Sequence, residues 1–264
     1  MLNPVFSTNH MRLMTPMFYR IAHSLRDLID NEVENRPKEV DLLDWMARTA
    51  LEVVGQGGLG YSFDALDQNT PNEFRIAIKS LVPNFFALAP FRTTIHHLAS
   101  LGPAKFRRRV VDFLPIPPLR RLKAITEVLE SQSKGIIQAK KVALVQGEDA
   151  VVRQVGEGKD VMMRENVSAR AEDRLPEEEI LGQMRQSFSG LVVAGTDTTS
   201  NALSQILYLL AHHQDVQERT RQELVATIDG RDIPYDQLVD LPYLDAICRE
   251  TLRLYPPVTN ITRT

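Results

Sequence analysis

Helical periodicity dominates this chain. Met14, Met17, Phe18, Ile21, Leu25 and Leu28 recur at helical spacing and predict an amphipathic helix over residues 11–34. Leu42, Trp45, Met46, Ala50 and Val53 predict a second over 41–54. A third runs over 118–145, where Pro115-Ile116-Pro117-Pro118 ends the preceding element and supplies rigid φ angles at the start. Residues 146–175 are polar and charged, apart from a short helical pattern around Val161-Met162-Met163. Then Pro176-Glu177-Glu178-Glu179 opens a pattern without another proline to about His213. Proline at the first helical position loses no hydrogen bond, and the three glutamates suit the positive end of the helix dipole. His212 and His213 suit the negative end. Residues 176–213 therefore predict one helix of about 38 residues and roughly 57 Å, long enough to cross a domain. Shorter helices follow over 214–228 and 241–255, the last stopped by Pro256-Pro257.

Two stretches read ambiguously. Residues 81–104 have weak periodicity and three prolines, and suit either a mobile cover over a pocket or an irregular core loop. Lys105, Arg107, Arg108, Arg109, Arg120, Arg121 and Lys123 flank Phe113-Leu114-Pro115. That mixture suits a solvated helix face or a surface resting on an anionic membrane.

Composition narrows the classes. The chain has 264 residues, enough for one large domain or two ordinary ones, and 43% hydrophobic content can fill a sizeable core. A net charge of −3 gives no global basic field to recruit nucleic acid. Cys248 is the only cysteine, so there is no internal disulfide, and a reducing compartment is expected. No run of 18 apolar residues is present to span a bilayer, and the first ten residues lack the apolar region of a signal peptide.

The candidate chemistry lies in the middle of the long helix, at Ala194-Gly195-Thr196-Asp197-Thr198-Thr199. Glycine in a helix interior costs about 1 kcal/mol relative to alanine. A buried acid costs more unless it is paired or used. Such breaches of local rules are expected at functional sites. A hydroxyl inside a helix can bond the carbonyl one turn back and loosen the ladder, so a local distortion is expected near 195–198. Glycine at 195 leaves room for a ligand to press on the backbone, and an acid beside such a groove can feed protons through water. Fifty residues later stands Glu250-Thr251-Leu252-Arg253-Leu254-Tyr255-Pro256-Pro257-Val258. Glu250 and Arg253 are three apart, share a helix face and can pair.

Together these motifs resemble the haem-thiolate monooxygenases of the cytochrome P450 family, of the eukaryotic microsomal type. The resemblance implies an all-α dominated fold with minor β, with the whole of 1–264 forming a partial domain. In that family the threonine after the acid hydrogen-bonds the dioxygen co-substrate and the acid orients a proton relay. Those roles fall on Thr198 and Asp197, with Ala194 and Gly195 beside the haem. Glu250 and Arg253 correspond to an inward-facing brace of the haem core, completed by a partner from a later loop. Arg263 corresponds to an arginine that bonds a haem propionate, and residues 258–262 to part of a substrate cavity. Asn3-Pro4-Val5-Phe6 resembles the end of a haem-contacting helix, residues 42–60 the next helix with its glycine-rich exit, and Lys159-Asp160-Val161 the helix before the central one. The implied complete enzyme takes two electrons from a flavoprotein NADPH-dependent reductase and inserts one atom of dioxygen into a small apolar substrate. Its implied place is the cytosolic face of the endoplasmic reticulum membrane.

The family's iron ligand is a cysteine in a glycine-rich loop well beyond the Glu-x-x-Arg helix. Cys248 lies inside that helix with no such loop around it, and is read as a small apolar residue rather than a metal ligand. The chain is thus expected to be roughly the middle half of the enzyme, without the anchor or the thiolate loop. The rival reading is a truncated, non-catalytic helical scaffold that binds partners or apolar ligands. Three further signals carry nothing. Gly55-Gln56-Gly57-Gly58-Leu59-Gly60 closes a helix instead of opening one, so no dinucleotide site is expected. His96-His97 has no companion ligands, and the two sequons at Asn166 and Asn260 have no meaning in a reducing compartment.

Overall fold

A computed structural model describes residues 7–34, 36–67, 73–91, 102–146, 177–228 and 230–259. Helix α1 spans Thr8–Val33, started by the Ser7 hydroxyl, which accepts from His10 N at 3.2 Å. Pro16 lies inside it. Proline has no N–H to give the turn before, and one residue earlier the Thr15 hydroxyl donates to Met11 O at 2.9 Å. Helix α2 is Leu42–Leu59, capped by Asp41, which accepts from Asp44 N at 3.0 Å. It ends on Gly60, whose φ of 59° lets Tyr61 N turn back to Gly55 O at 3.0 Å. The glycine-rich exit is packing chemistry. A Cβ on Gly55 would lie 2.5 Å from Phe63, and one on Gly57 2.6 Å from the Met14 methyl.

Helix α3 (Glu73–Phe86) was not evident from the periodicity, and it corrects the irregular reading of 81–104. Phe74, Ala77 and Ile78 are buried on one face, and a 3-10 turn follows at Ala89–Phe91. Pro83 sits in the last turn, where Asn84 Nδ2 donates to Ser80 O at 2.7 Å. Residues 92–101 lie outside the described residues. Helices α4 (Ala104–Phe113) and α5 (Pro117–Gln146) follow. Several of the basic residues there are paired: Arg108 with Glu130 at 2.7 Å, Lys123 with Asp112 at 2.6 Å. Lys134 and Arg108 together hold the Glu130 carboxyl down at about 2.

The long central helix is confirmed as α6, Glu177–His212, 36 residues and continuous through the 194–199 motif. No break in the helix accompanies the expected distortion. Helices α7 (Gln214–Thr227), α8 (Tyr235–Val239) and α9 (Pro242–Leu254) complete the fold. Among the described residues there is no strand, so the minor β expected by resemblance has no counterpart there.

Helix α6 is the spine. α2 makes its most extensive contact with it, and α5, α7 and α9 also pack on it. α3 lies on α5, and α1 lies between α2 and α8. The core gathers Leu51, Leu59, Phe63, Phe74, Ile78, Ile125, Leu129, Ile136 and Val192. Phe63 and Phe74 stack at 4.6 Å between ring centres. Glu52, only 4% exposed, fastens the α2 exit from inside. It accepts from Gln56 Nε2 at 2.6 Å, from Ala65 N at 3.2 Å and from the Ser62 hydroxyl. A buried carboxylate is tolerable when its oxygens are met in this way.

One contact orients α9. The cap residue Leu241 offers no side-chain acceptor, and the α7 carboxylate of Glu223 takes that place. Its two oxygens accept from Tyr243 N at 2.8 Å and Leu244 N at 2.9 Å. An anion at a helix N-terminus satisfies orphan N–H groups and complements the dipole.

Candidate active site

Residues four apart on α6 fall on one side of the helix, and the motif sorts its chemistry by side. Val192, Thr196 and Ser200 form the buried line, at 0%, 4% and 3% exposure. Gly190, Ala194 and Thr198 form another, and Gly190 and Ala194 are exposed. A Cβ on Gly190 would meet nothing within 4 Å. The Thr198 hydroxyl donates to Ala194 O at 2.7 Å, the back-bond that a helical threonine makes. This strip has no side-chain bulk and carries one polar handle, so a flat macrocycle can lie against it. The residues present fit one face of a haem. Gly190 extends the site by a turn; its spacing to Ala194 and Thr198 was readable in the sequence.

Gly195 does not belong to that strip. A Cβ there would stand 2.9 Å from Val54 Cγ2 on α2. The expectation that Gly195 makes room for a ligand is corrected: the space it leaves is filled by Val54, and glycine serves the close approach of two helices.

Asp197 faces a different way from Thr198. It is partly buried and lines a small pocket between three helices. α6 contributes Thr196, Asp197, Ser200 and Asn201; α3 contributes Arg75, Ile78 and Lys79; Leu43, Ala47 and Leu51 of α2 complete it. The Thr196 hydroxyl is buried with no partner among the described residues, while Ser200 Oγ donates to Asp197 O at 3.0 Å. Next to the pocket, the Asp44 carboxylate of α2 meets Arg48 at 2.8 Å, Arg75 at 2.6 Å and Lys79 at 3.2 Å. Partial burial works against ionisation of Asp44. The bond from Arg48 and the charge of Arg75 outweigh it and hold the carboxyl below its usual range. Asp44, Arg75 and Lys79 gave no signal in the sequence, because 31 and 35 positions separate the partners.

Glu250 and Arg253 do pair, through Nη2 to Oε1 at 2.7 Å and Nε to Oε2 at 2.8 Å. The hydrogen bond from Arg253 holds the Glu250 carboxyl below its usual range. Yet their side chains are 57% and 66% exposed, so the expected inward orientation is corrected. α9 buries Thr251, while Leu252, Leu254 and Tyr255 on its open side are exposed, and no described element covers them. Cys248 is half-buried in α9. Burial, with help from Asp245, pushes its thiol up, which disfavours a thiolate. Arg263, residues 260–262, Asn3–Phe6, His96-His97, both sequons and the 159–161 helix lie outside the described residues, and the described residues hold no cluster of three metal-ligating side chains.

The sequence profile of the family "Cytochrome P450" matches residues 1–264. The chain belongs to the cytochrome P450 family. It is 52% identical over its whole length to cytochrome P450 monooxygenase 91 of Postia placenta, covering 49% of that protein. It is 45% identical over 99% of its length to ganoderic acid synthetase CYP5150L8 of Ganoderma lucidum, again covering 49%. The chain therefore spans about half the length of the curated relatives it matches. A crystal structure of a cytochrome P450, CYP102L1, superposes over 97% of the chain with a TM-score of 0.66 at 22% identity, which is likeness of fold.

Proposed function

We propose that the complete protein containing this P450 chain is a haem-dependent monooxygenase acting on a small apolar substrate, with electrons from an NADPH-dependent flavoprotein reductase. The observation that carries the reading is the division of α6 into two chemical sides at adjacent residues. A bulk-free strip ends in the Thr198 hydroxyl, and the Asp197 carboxylate faces a pocket on the other side. When bound, the haem supplies the redox chemistry by which dioxygen is activated.

Monooxygenation puts one oxygen atom into the substrate and releases the other as water, so two electrons must be matched by two protons delivered on the dioxygen side. Thr198 Oγ1 stands on the strip where such a proton is needed, and its bond to Ala194 O fixes the hydroxyl's position. Asp197, one residue earlier, takes protons from the pocket and passes them round the helix. Gly190 and Ala194 keep the strip flat, and Arg263 holds a propionate by a charge-assisted bond. Thr198→Ala in the complete enzyme should leave substrate binding intact and lower product formed per reductant consumed, with peroxide making up the difference. An unchanged yield would remove Thr198 from the mechanism.

The same reading places the protein against a membrane. Phe106 and Phe113 are seven apart on α4 and so share a face, at 53% and 87% exposure, with Arg108 and Arg109 beside them. Apolar rings next to cations are the chemistry of an anionic lipid surface. No described helix is long and apolar enough to cross a bilayer. Flotation with phosphatidylserine vesicles tests this. Phe106→Ser with Phe113→Ser should abolish co-flotation, and equal flotation of parent and variant would sink the idea.

A further inference from the structure

We propose that Asp44 is a positioning residue for Asp197: it holds Arg75 and Lys79 to the α2 wall of the pocket, so that neither cation captures the Asp197 carboxylate. The proposal rests on the proton role given to Asp197 above. It stands on three observations. First, one carboxylate meets three cations, and two of these, Arg75 and Lys79, line the pocket that Asp197 lines. Second, Asp44, Arg48 and Arg75 are only 20%, 16% and 21% exposed, so solvent screens the cluster poorly, while Asp197 makes no ion pair with the described residues. Third, the Thr196 hydroxyl, buried to 4% exposure, points a polar atom without a described partner at this pocket. A pocket with such a wall suits a hydrogen-bonding guest such as water, and water is the carrier a carboxylate needs for proton exchange.

The physical consequence follows from competition. Lysine and arginine near the α3 end of the pocket must pair with some carboxylate, because an unpaired, partly buried cation is costly. Asp44 is the partner they have. Without its charge, the remaining carboxylate in the pocket is Asp197. A carboxylate that gains a cation within about 4–6 Å ionises more readily and gives its proton up at lower pH. Pinned in this way, it becomes a poorer relay. The charged groups that face Asp197 from the packed helices are Asp44 and, across the pocket, Arg75 and Lys79, with Arg48 behind.

The test uses the full-length holoenzyme as its ferrous carbon monoxide complex, with aspartate carboxyl groups labelled with carbon-13. Asp197→Asn identifies the Asp197 resonance by its loss. Asp44→Asn should lower the Asp197 titration midpoint by about one pH unit, and Asp44→Glu should restore it. The acid limb of the product-yield profile against pH should move in the same direction. An unshifted or raised midpoint in Asp44→Asn overturns the proposal. Should Asp44→Asn not fold, a charge-balanced pair is read instead: Asp44→Asn with Arg75→Gln leaves Lys79 unheld, and adding Lys79→Gln removes it. The lowering should appear only in the former, and equal midpoints overturn the proposal. Product yield in Asp197→Asn separates the two claims: an unchanged yield overturns the proton role of Asp197, whereas the midpoints decide the positioning by Asp44.

Discussion

At the scale of single residues, Gly195 shows how a vacancy in the sequence acquires its meaning only from a neighbour. A methyl group there meets Val54 Cγ2 at 2.9 Å, and a valine has no flexible end with which to retreat. Gly195→Ala gains about 1 kcal/mol of helix propensity and incurs an overpacking cost of about 1–3 kcal/mol. The sum should be neutral to destabilising. In a Val54→Ala background the clash is gone, so the same substitution should raise the melting temperature. Thermal unfolding of the four proteins of this cycle checks it; a Gly195→Ala effect that is equal in both backgrounds would mean that Val54 does not fill the space. The same residue marks a limit of sequence reasoning. That 194–199 broke helix rules was legible, and so was the pairing of Glu250 with Arg253, because both are local patterns. What a missing side chain makes room for is not local, and Gly195 was read toward a ligand when it faces α2. Asp44 and Glu52 were not legible at all, since their partners lie across loops at Arg75, Lys79, Ser62 and Ala65.

At the scale of elements, helix ends were more readable than helix neighbours. The central helix, α7 and α9 fall within a residue or two of their predicted bounds, because proline and charged first turns punctuate them. α3 escaped because Pro83 interrupts its pattern near the end and only three of its residues are buried. The device that seats α9 also escaped: Glu223 reaches from the preceding helix to cap it, twenty residues away. This contact fixes where Glu250 and Arg253 stand, since they ride on the helix it anchors. Glu223→Ala should lower the unfolding free energy by about 1–2 kcal/mol, the usual effect of losing a helix N-cap. Glu223→Gln, with one acceptor oxygen left, should lose less. Urea unfolding at unchanged slope measures both, and an unaltered midpoint for Glu223→Ala would show that α9 is seated by its apolar contacts alone.

At the scale of the whole molecule, the open surfaces tell where the fold expects company. Leu252, Leu254, Tyr255 and Val258 are exposed around α9, and Tyr208 on α6 is 55% exposed. Contiguous apolar exposure of this kind marks a surface meant to be covered. The exposed Glu250–Arg253 pair belongs to the same open side. On the facing question, the sequence had no means of distinguishing an inward pair from an outward one, because that depends on elements that are not local to α9. The haem strip on α6 is present, yet a haem-thiolate centre also needs a thiolate on the opposite face of the porphyrin. Cys248 is the only cysteine among these 264 residues, and it sits within α9 with its thiol pushed up by burial and by Asp245. Delivering it to a metal means unwinding the helix that carries Glu250 and Arg253. These 264 residues, expressed by themselves and reconstituted with haem, should therefore show no thiolate-type Soret band in the reduced carbon monoxide difference spectrum. A thiolate-type band that vanishes in Cys248→Ser would make Cys248 the ligand and overturn the assignment of the ligand to a separate loop.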